Sequence, residues 1–238
     1  MKARGKHSLT ARLVVVAAAV VVLAALLVAP ALAATPTSWT VSPTSKIITY
    51  GQGVTLNGTL TSNSVAVGGL WVDFAQATTT NGSYVVMWRV TAPDGPYATG
   101  TYSIAVMPLQ TTYYRFQWAG DSTYGPSNSD AIPVQVKPSL GKPTCPSSVD
   151  SGHKFTVSGS VKPGAPTGPA VHVKAYRKNG SGHYVSYKTY DTTISGTTYK
   201  ASIKISKAGK YKFKATTGSS ARFAANETGF SSVTTVKK

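Results

Sequence analysis

The stretch Tyr50-Gly51-Gln52-Gly53-Val54-Thr55-Leu56-Asn57-Gly58-Thr59-Leu60 recurs about 101 positions later as Ser151-Gly152-His153-Lys154-Phe155-Thr156-Val157-Ser158-Gly159-Ser160-Val161. Farther along, Tyr102, Tyr114 and Phe116 recur as Tyr199, Tyr211 and Phe213 at an offset of 97, and Tyr84-Val85 recurs as Tyr184-Val185. A chain that repeats itself at this period is built from two copies of one folding unit, here 35–137 and 138–238. The Lys137-Pro138 junction, followed by Pro143 and Pro146, predicts a short and fairly stiff connector.

Within each copy, short runs of alternating apolar and polar residues are separated by Gly, Asn, Ser and Pro, and no segment after residue 35 shows a helical period. In the first copy the runs predict strands over Val54–Leu60, Leu70–Ala75, Tyr84–Thr91, Tyr102–Met107, Thr112–Ala119 and Ala131–Val136. In the second they predict Lys154–Val161, Val171–Arg177, Tyr184–Tyr190, Tyr199–Ser206, Lys210–Thr216 and Ser231–Val236. An opening strand near Trp39–Ile48, and another near Lys142–Val149, brings each copy to about seven. That count over about 100 residues predicts an all-β chain of two tandem immunoglobulin-like β-sandwiches.

Residues 1–34 are of another kind. Lys2, Arg4, Lys6 and Arg12 precede an apolar run from Leu13 to Ala29, then Pro30 and Ala31-Leu32-Ala33. This is the pattern of a general secretory signal peptide cut near Ala33 or Ala34. The alternative is an uncleaved anchor, since the run just reaches spanning length. Either way the remainder is expected outside the cell or at its envelope. The lone Cys145 excludes an intrachain disulfide, so stability rests on packing.

Val54-Thr55-Leu56-Asn57-Gly58-Thr59-Leu60, Tyr114-Arg115-Phe116 and Gly120-Asp121-Ser122-Thr123-Tyr124-Gly125-Pro126-Ser127 resemble the bacterial immunoglobulin-like domain repeats of surface and secreted proteins. The second copy keeps Tyr211-Lys212-Phe213, whereas Thr217-Gly218-Ser219-Ser220-Ala221-Arg222-Phe223 lacks the Asp and carries Phe in place of Tyr. The resemblance implies envelope or extracellular deployment, with binding or spacer roles. Asp121 after a glycine predicts a turn that bonds its own backbone, not a calcium ligand.

Catalytic chemistry has little to work with. After residue 34 there are six Asp, one Glu (Glu227) and three His, namely His153, His172 and His183. No metal-binding, nucleophile-elbow or phosphate-cradling motif occurs, so no catalytic residue, metal or cofactor is expected, and the protein is not expected to be an enzyme. His172 and His183 lie across a predicted hairpin turn, and a solvated pair is expected there.

Charge separates the two copies. The first sets four Lys and Arg against four Asp, for a net of zero; the second sets 16 Lys and Arg against Asp150, Asp191 and Glu227, a net of +13. Alternation in Lys210-Tyr211-Lys212-Phe213-Lys214 turns the aromatics inward and all three lysines outward. In Val171-His172-Val173-Lys174-Ala175-Tyr176 the outward set is His172, Lys174 and Tyr176, with Lys178 at the strand end. Sheet neighbours of this kind would form a lysine plateau edged by His172 and Tyr176. Such a field draws polyanions: anionic cell-envelope polymers or phospholipid headgroups, with no specific nucleic acid implied. In the first copy Trp71 is expected to face outward, with Tyr113 and Arg115 on a neighbouring strand, a surface for a glycan or protein partner. The leading expectation is therefore an exported, envelope-associated binding or adhesion module. The alternatives are a passive structural spacer or assembly subunit, and a small carbohydrate-binding protein working through the exposed aromatics.

Overall fold

The computed structural model describes residues 33–92 and 100–238. The expected export segment, but for its last two residues, lies outside them. The first sandwich comprises β1 (Thr37–Pro43), β2 (Ile47–Thr49), β3 (Val54–Ser62), β4 (Val65–Ala66), β5 (Trp71–Ala77), β6 (Val85–Thr91), β7 (Thr101–Val106), β8 (Thr112–Trp118), β9 (Ser127–Asn128) and β10 (Ile132–Lys137). The second repeats the scheme with β11 (Ser139–Leu140), β12 (Ser148–Asp150), β13 (Lys154–Lys162), β14 (Val171–Lys178), β15 (Tyr184–Asp191), β16 (Thr193–Ser195), β17 (Thr198–Lys204), β18 (Gly209–Thr217), β19 (Asn226–Glu227) and β20 (Thr234–Lys237).

Each sandwich sets a four-stranded sheet against a six-stranded one. In the first these are β1-β3-β4 with β7 on β3, and β2-β10-β8-β5-β6 with β9 on β8; in the second, β11-β13-β17-β16 and β12-β20-β18-β14-β15 with β19 on β18. The short β2 and β12 run parallel to the last strands β10 and β20, while the other pairings within the sheets are antiparallel. This is the immunoglobulin-like arrangement in which the chain crosses between sheets near its start. Of the opening strands expected as single elements, Trp39–Ile48 is accordingly divided between β1 and β2, and of Lys142–Val149 only Ser148 and Val149 form strand, in β12, with β11 lying before it. Pro43 ends β1 and the chain switches sheets before β2; Pro143 and Pro146 fall in the gap between β11 and β12, where proline cannot donate to a ladder.

Alternation explains the cores. Leu56 and Leu60 on β3, Val72 and Phe74 on β5, and Tyr114 and Phe116 on β8 point inward and are buried. Phe116 sits at the centre of an aromatic nest, 5.3 Å from Trp39, 5.2 Å from Phe74 and 6.4 Å from Tyr102. The second core is built from Val157, Val173, Tyr199, Ile203, Tyr211 and Phe213. Burial pushes the Tyr102 and Tyr199 phenols up to about 12, as expected of packed core aromatics. Trp118, which follows Tyr114 and Phe116 in the inward register of β8, lies half-buried at the margin of the core. Cys145 packs half-buried against the second core with its thiol toward the Ser232 carbonyl at 3.6 Å.

The serine-rich approach to the last strand has a structural reason. Ser129 Oγ accepts the Phe116 N–H at 3.0 Å, and Ser231 Oγ accepts the Phe213 N–H at 2.9 Å, satisfying buried donors where the short β9 and β19 do not reach. The preceding turn survives in both copies. Asp121 Oδ1 accepts the N–H groups of Thr123 and Tyr124, each at 2.7 Å, the self-bonding turn expected of it. In the second copy Ser220 stands in for the missing Asp and accepts the Arg222 and Phe223 N–H groups at 3.3 and 3.0 Å.

That second turn joins the sandwiches. Phe223 is buried, and it belongs to the core cluster of the first sandwich, not of its own. The Thr111 N–H donates to the Arg222 carbonyl and the Ala224 N–H to the Val136 carbonyl, at 2.8 and 2.9 Å. The Arg222 guanidinium spans the joint, donating to Gln110 Oε1 at 2.8 Å and to the Thr167 carbonyl at 3.2 Å.

Candidate anion-binding face

Strands β14 and β18 are antiparallel neighbours, as their alternation requires for a shared outer face. Their register sets Lys174 directly opposite Lys214, Tyr176 opposite Lys212, and His172 opposite Thr216. Tyr211, Phe213, Val173 and Ala175 take the core side and are fully buried, so Lys212, Lys214, Lys174 and Tyr176 share the other face. Lys210 and Lys178 lie exposed at the same end of the two strands. The six expected residues thus occupy one sheet face, but they differ in how free they are.

Two of them already hold partners. Lys214 Nζ donates to Glu227 Oε1 at 2.8 Å, and His172 Nδ1 lies 3.0 Å from Asp191 Oδ1. Two of the second copy's three acids, Asp191 and Glu227, thus lie at this face, and Glu227 partly neutralises Lys214, one of two lysines that repel across the ladder. The Lys214 hydrogen bond is the main cause holding the Glu227 carboxyl below its ordinary range; Lys174 adds a smaller pull. The same pair raises Lys214. His172 is not a free edge cation. It also stands far from His183: His172 pairs with Asp191 at one end of the β14–β15 hairpin, and His183 precedes β15 at the other.

Residues not singled out from the sequence complete the face. Phe230 lies 5.0 Å from Tyr176 and 6.2 Å from Tyr184, ring to ring. Lys212 Nζ sits 4.7 Å above the Tyr184 ring, and Lys214 Nζ 4.8 Å above Phe230, so aromatic faces hold these ammonium groups in place. Lys137, at the end of β10 in the first sandwich, meets Lys174, Thr216, Asn226 and Glu227 around a hollow of about 370 Å³ at the joint. Its place at the copy boundary was the one sequence signal pointing to it. The outer face of β17 carries a second basic row, Lys200 and Lys204, with Lys154 opposite Lys204; all three are exposed.

The aromatic surface expected on the first sandwich does not assemble. Trp71 does face outward, 61% exposed. Tyr113, however, is opposite Ala77 on β5, six residues from Trp71, a separation of roughly 20 Å along a strand. No single sugar ring spans that. Arg115 is engaged elsewhere, its guanidinium carbon 4.1 Å from the centre of the Tyr84 ring. Among the described residues no group of three His, Cys, Asp or Glu is placed to hold a metal ion.

No family model matches this chain, and no curated protein sequence matches it. Among solved structures, the D1–D4 ectodomain fragment of ICAM-5 is similar at 14% identity and a TM-score of 0.43, covering 84% of this chain and 53% of that one. The adhesin InvE of Yersinia pseudotuberculosis is similar at 14% identity and a TM-score of 0.38, covering 84% and 59%. The chain thus spans a little over half the length of each. By its own topology it is an all-β protein of two immunoglobulin-like sandwiches in tandem.

Proposed function

We propose that the chain is an exported, envelope-associated binding module, akin to bacterial immunoglobulin-like repeat proteins, whose second sandwich grips anionic envelope polymers or phospholipid headgroups. The observation that carries this reading is the shared outer face of β14 and β18. Lys174, Lys178, Lys210 and Lys212 converge there and form no ion pair with a carboxylate among the described residues. Held on a rigid sheet, four ammonium groups meet a polyanion without first losing the freedom that flexible loops would lose. The joint supports the spacer reading as a second role, since Phe223 and Arg222 hold the sandwiches end against end.

Salt tests the reading. With four phosphate-like contacts, affinity for a polyanion column or for anionic phospholipid vesicles is expected to fall about 100-fold between 50 and 200 mM salt. Retention indifferent to salt would sink it. Glu227→Gln removes the face's central carboxylate and frees Lys214, so that variant is expected to elute at higher salt than the wild type.

A further inference from the structure

The edge of the first sandwich is built unlike the edge of the second. Strand β6 is the outer strand of its sheet, paired only with β5 among the described residues. It is apolar on both faces: Val85 is 61% exposed, Val86 49% and Trp88 47%. Beside it opens a groove of about 630 Å³, walled by Gln76, Val85, Met87 and Trp88 on one side and by Met107 and Leu109 on the other. Met107 and Leu109 are themselves 61% and 58% exposed. No charged residue is among those lining it.

The second sandwich shows what this place looks like when closed. Arg177 takes the position of Gln76, opposite Tyr211 as Gln76 is opposite Tyr114, and its guanidinium reaches across to the Ala208 carbonyl at 3.1 Å. Tyr187 takes the bulge position of Met87 and packs edge-on against Tyr211 at 5.3 Å. Lys188 stands where the first sandwich has Trp88. At the repeat offset of 97, Lys204 and Ser206 stand where it has Met107 and Leu109. The second edge is thus filled from within and guarded by ammonium groups, the usual defence of an unpaired strand. The first has neither device.

We propose that this edge is where a second copy of the chain docks, β6 against the partner's β6 in an antiparallel, two-fold pair. The groove calls for an extended, apolar strand with no unpaired charge, and Val85–Thr91 is one. Its single charge, Arg89, is already neutralised by Asp73 within the same copy at 2.7 Å. A symmetric contact needs a patch complementary to itself, and this one is. Electrostatics selects the same half: two first sandwiches of net charge zero meet without repulsion, whereas a contact through the second would press two +13 bodies together. The pair would present two lysine faces to one polymer, multiplying attachment without a new contact.

Sedimentation equilibrium of the purified protein in high salt tests this, because an apolar contact persists there while polyanion binding does not. The mass is expected to rise from one chain to two with concentration. Val86→Lys and, separately, Leu109→Lys, each placing on this edge an ammonium group of the kind that guards the second edge, are expected to weaken association at least tenfold. Unchanged β-sheet circular dichroism shows that each variant still folds. Val85→Lys, at the most exposed side chain of the strand, serves if Val86→Lys does not. A protein that stays monomeric up to roughly 100 µM, or a dimer that survives these substitutions, overturns the proposal.

Discussion

Phe223→Ala is expected to destabilise the first sandwich by about 3–5 kcal/mol, although Phe223 belongs to the second copy of the repeat. The ring is buried in the core cluster that contains Phe116 and Val136, so its removal leaves a cavity there and not in its own sandwich. The same substitution frees the joint. The hydrogen bonds from Thr111 and Ala224, and the two from the Arg222 guanidinium, depend on the turn staying seated. Calorimetry is the measurement. The wild type is expected to unfold with the two sandwiches coupled, and the variant with the first melting well before the second. Arg222→Ala, which removes the polar span but leaves the ring, is expected to cost less. If Phe223→Ala lowers the stability of the second sandwich alone, the assignment of the ring to its neighbour's core is wrong.

Gly58→Ala and Gly159→Ala should each destabilise their own sandwich by about 1–3 kcal/mol, the range for overpacking a filled core. The two glycines occupy the same place in β3 and β13, and both recur in the repeat for the same steric reason. A Cβ on Gly58 would stand 2.7 Å from Phe116 Cδ2, in the middle of the aromatic nest. A Cβ on Gly159 would run into the Tyr199 phenol. That phenol is pinned, since its hydroxyl donates to the Gly141 carbonyl at 2.9 Å, so the ring cannot slide aside. Gly159→Ala is therefore expected to be the costlier of the two. Denaturant unfolding of both variants decides it. A cost near zero at both positions would mean that the rings have room to move.

The frame of the molecule could be read from its sequence because alternation is a local property. Once Tyr211 and Phe213 point inward, Lys210, Lys212 and Lys214 have nowhere to go but outward, and the same logic sets Lys174 beside them. What alternation does not carry is register. Trp71 and Tyr113 both leave the core, but only the pairing of Tyr113 with Ala77 reveals the strand length between them. Nor does it carry the ends of strands. Glu227 reaches Lys214 from the two-residue β19, too short to leave a periodic signal. Phe230 and Tyr184 arrive beside the lysines from loop and strand end by the same route. The joint was hidden for a different reason. The turn with Phe223 reads as a worn copy of the one with Tyr124, whereas Ser220 does the work of Asp121 and the ring has been turned to a new partner.

The central claim is that position on one face, and not total charge, makes the second sandwich a grip for polyanions. Two variants with the same loss of four positive charges test it in the full chain. One changes Lys174, Lys178, Lys210 and Lys212 to Gln; the other changes Lys154, Lys162, Lys200 and Lys204, all exposed on β13 and β17 of the opposite sheet. In a salt gradient on immobilised polyanion, the first variant is expected to elute far earlier than the wild type, and the second close to it. Equal shifts for both would show that charge alone is at work and that the face on β14 and β18 is no site.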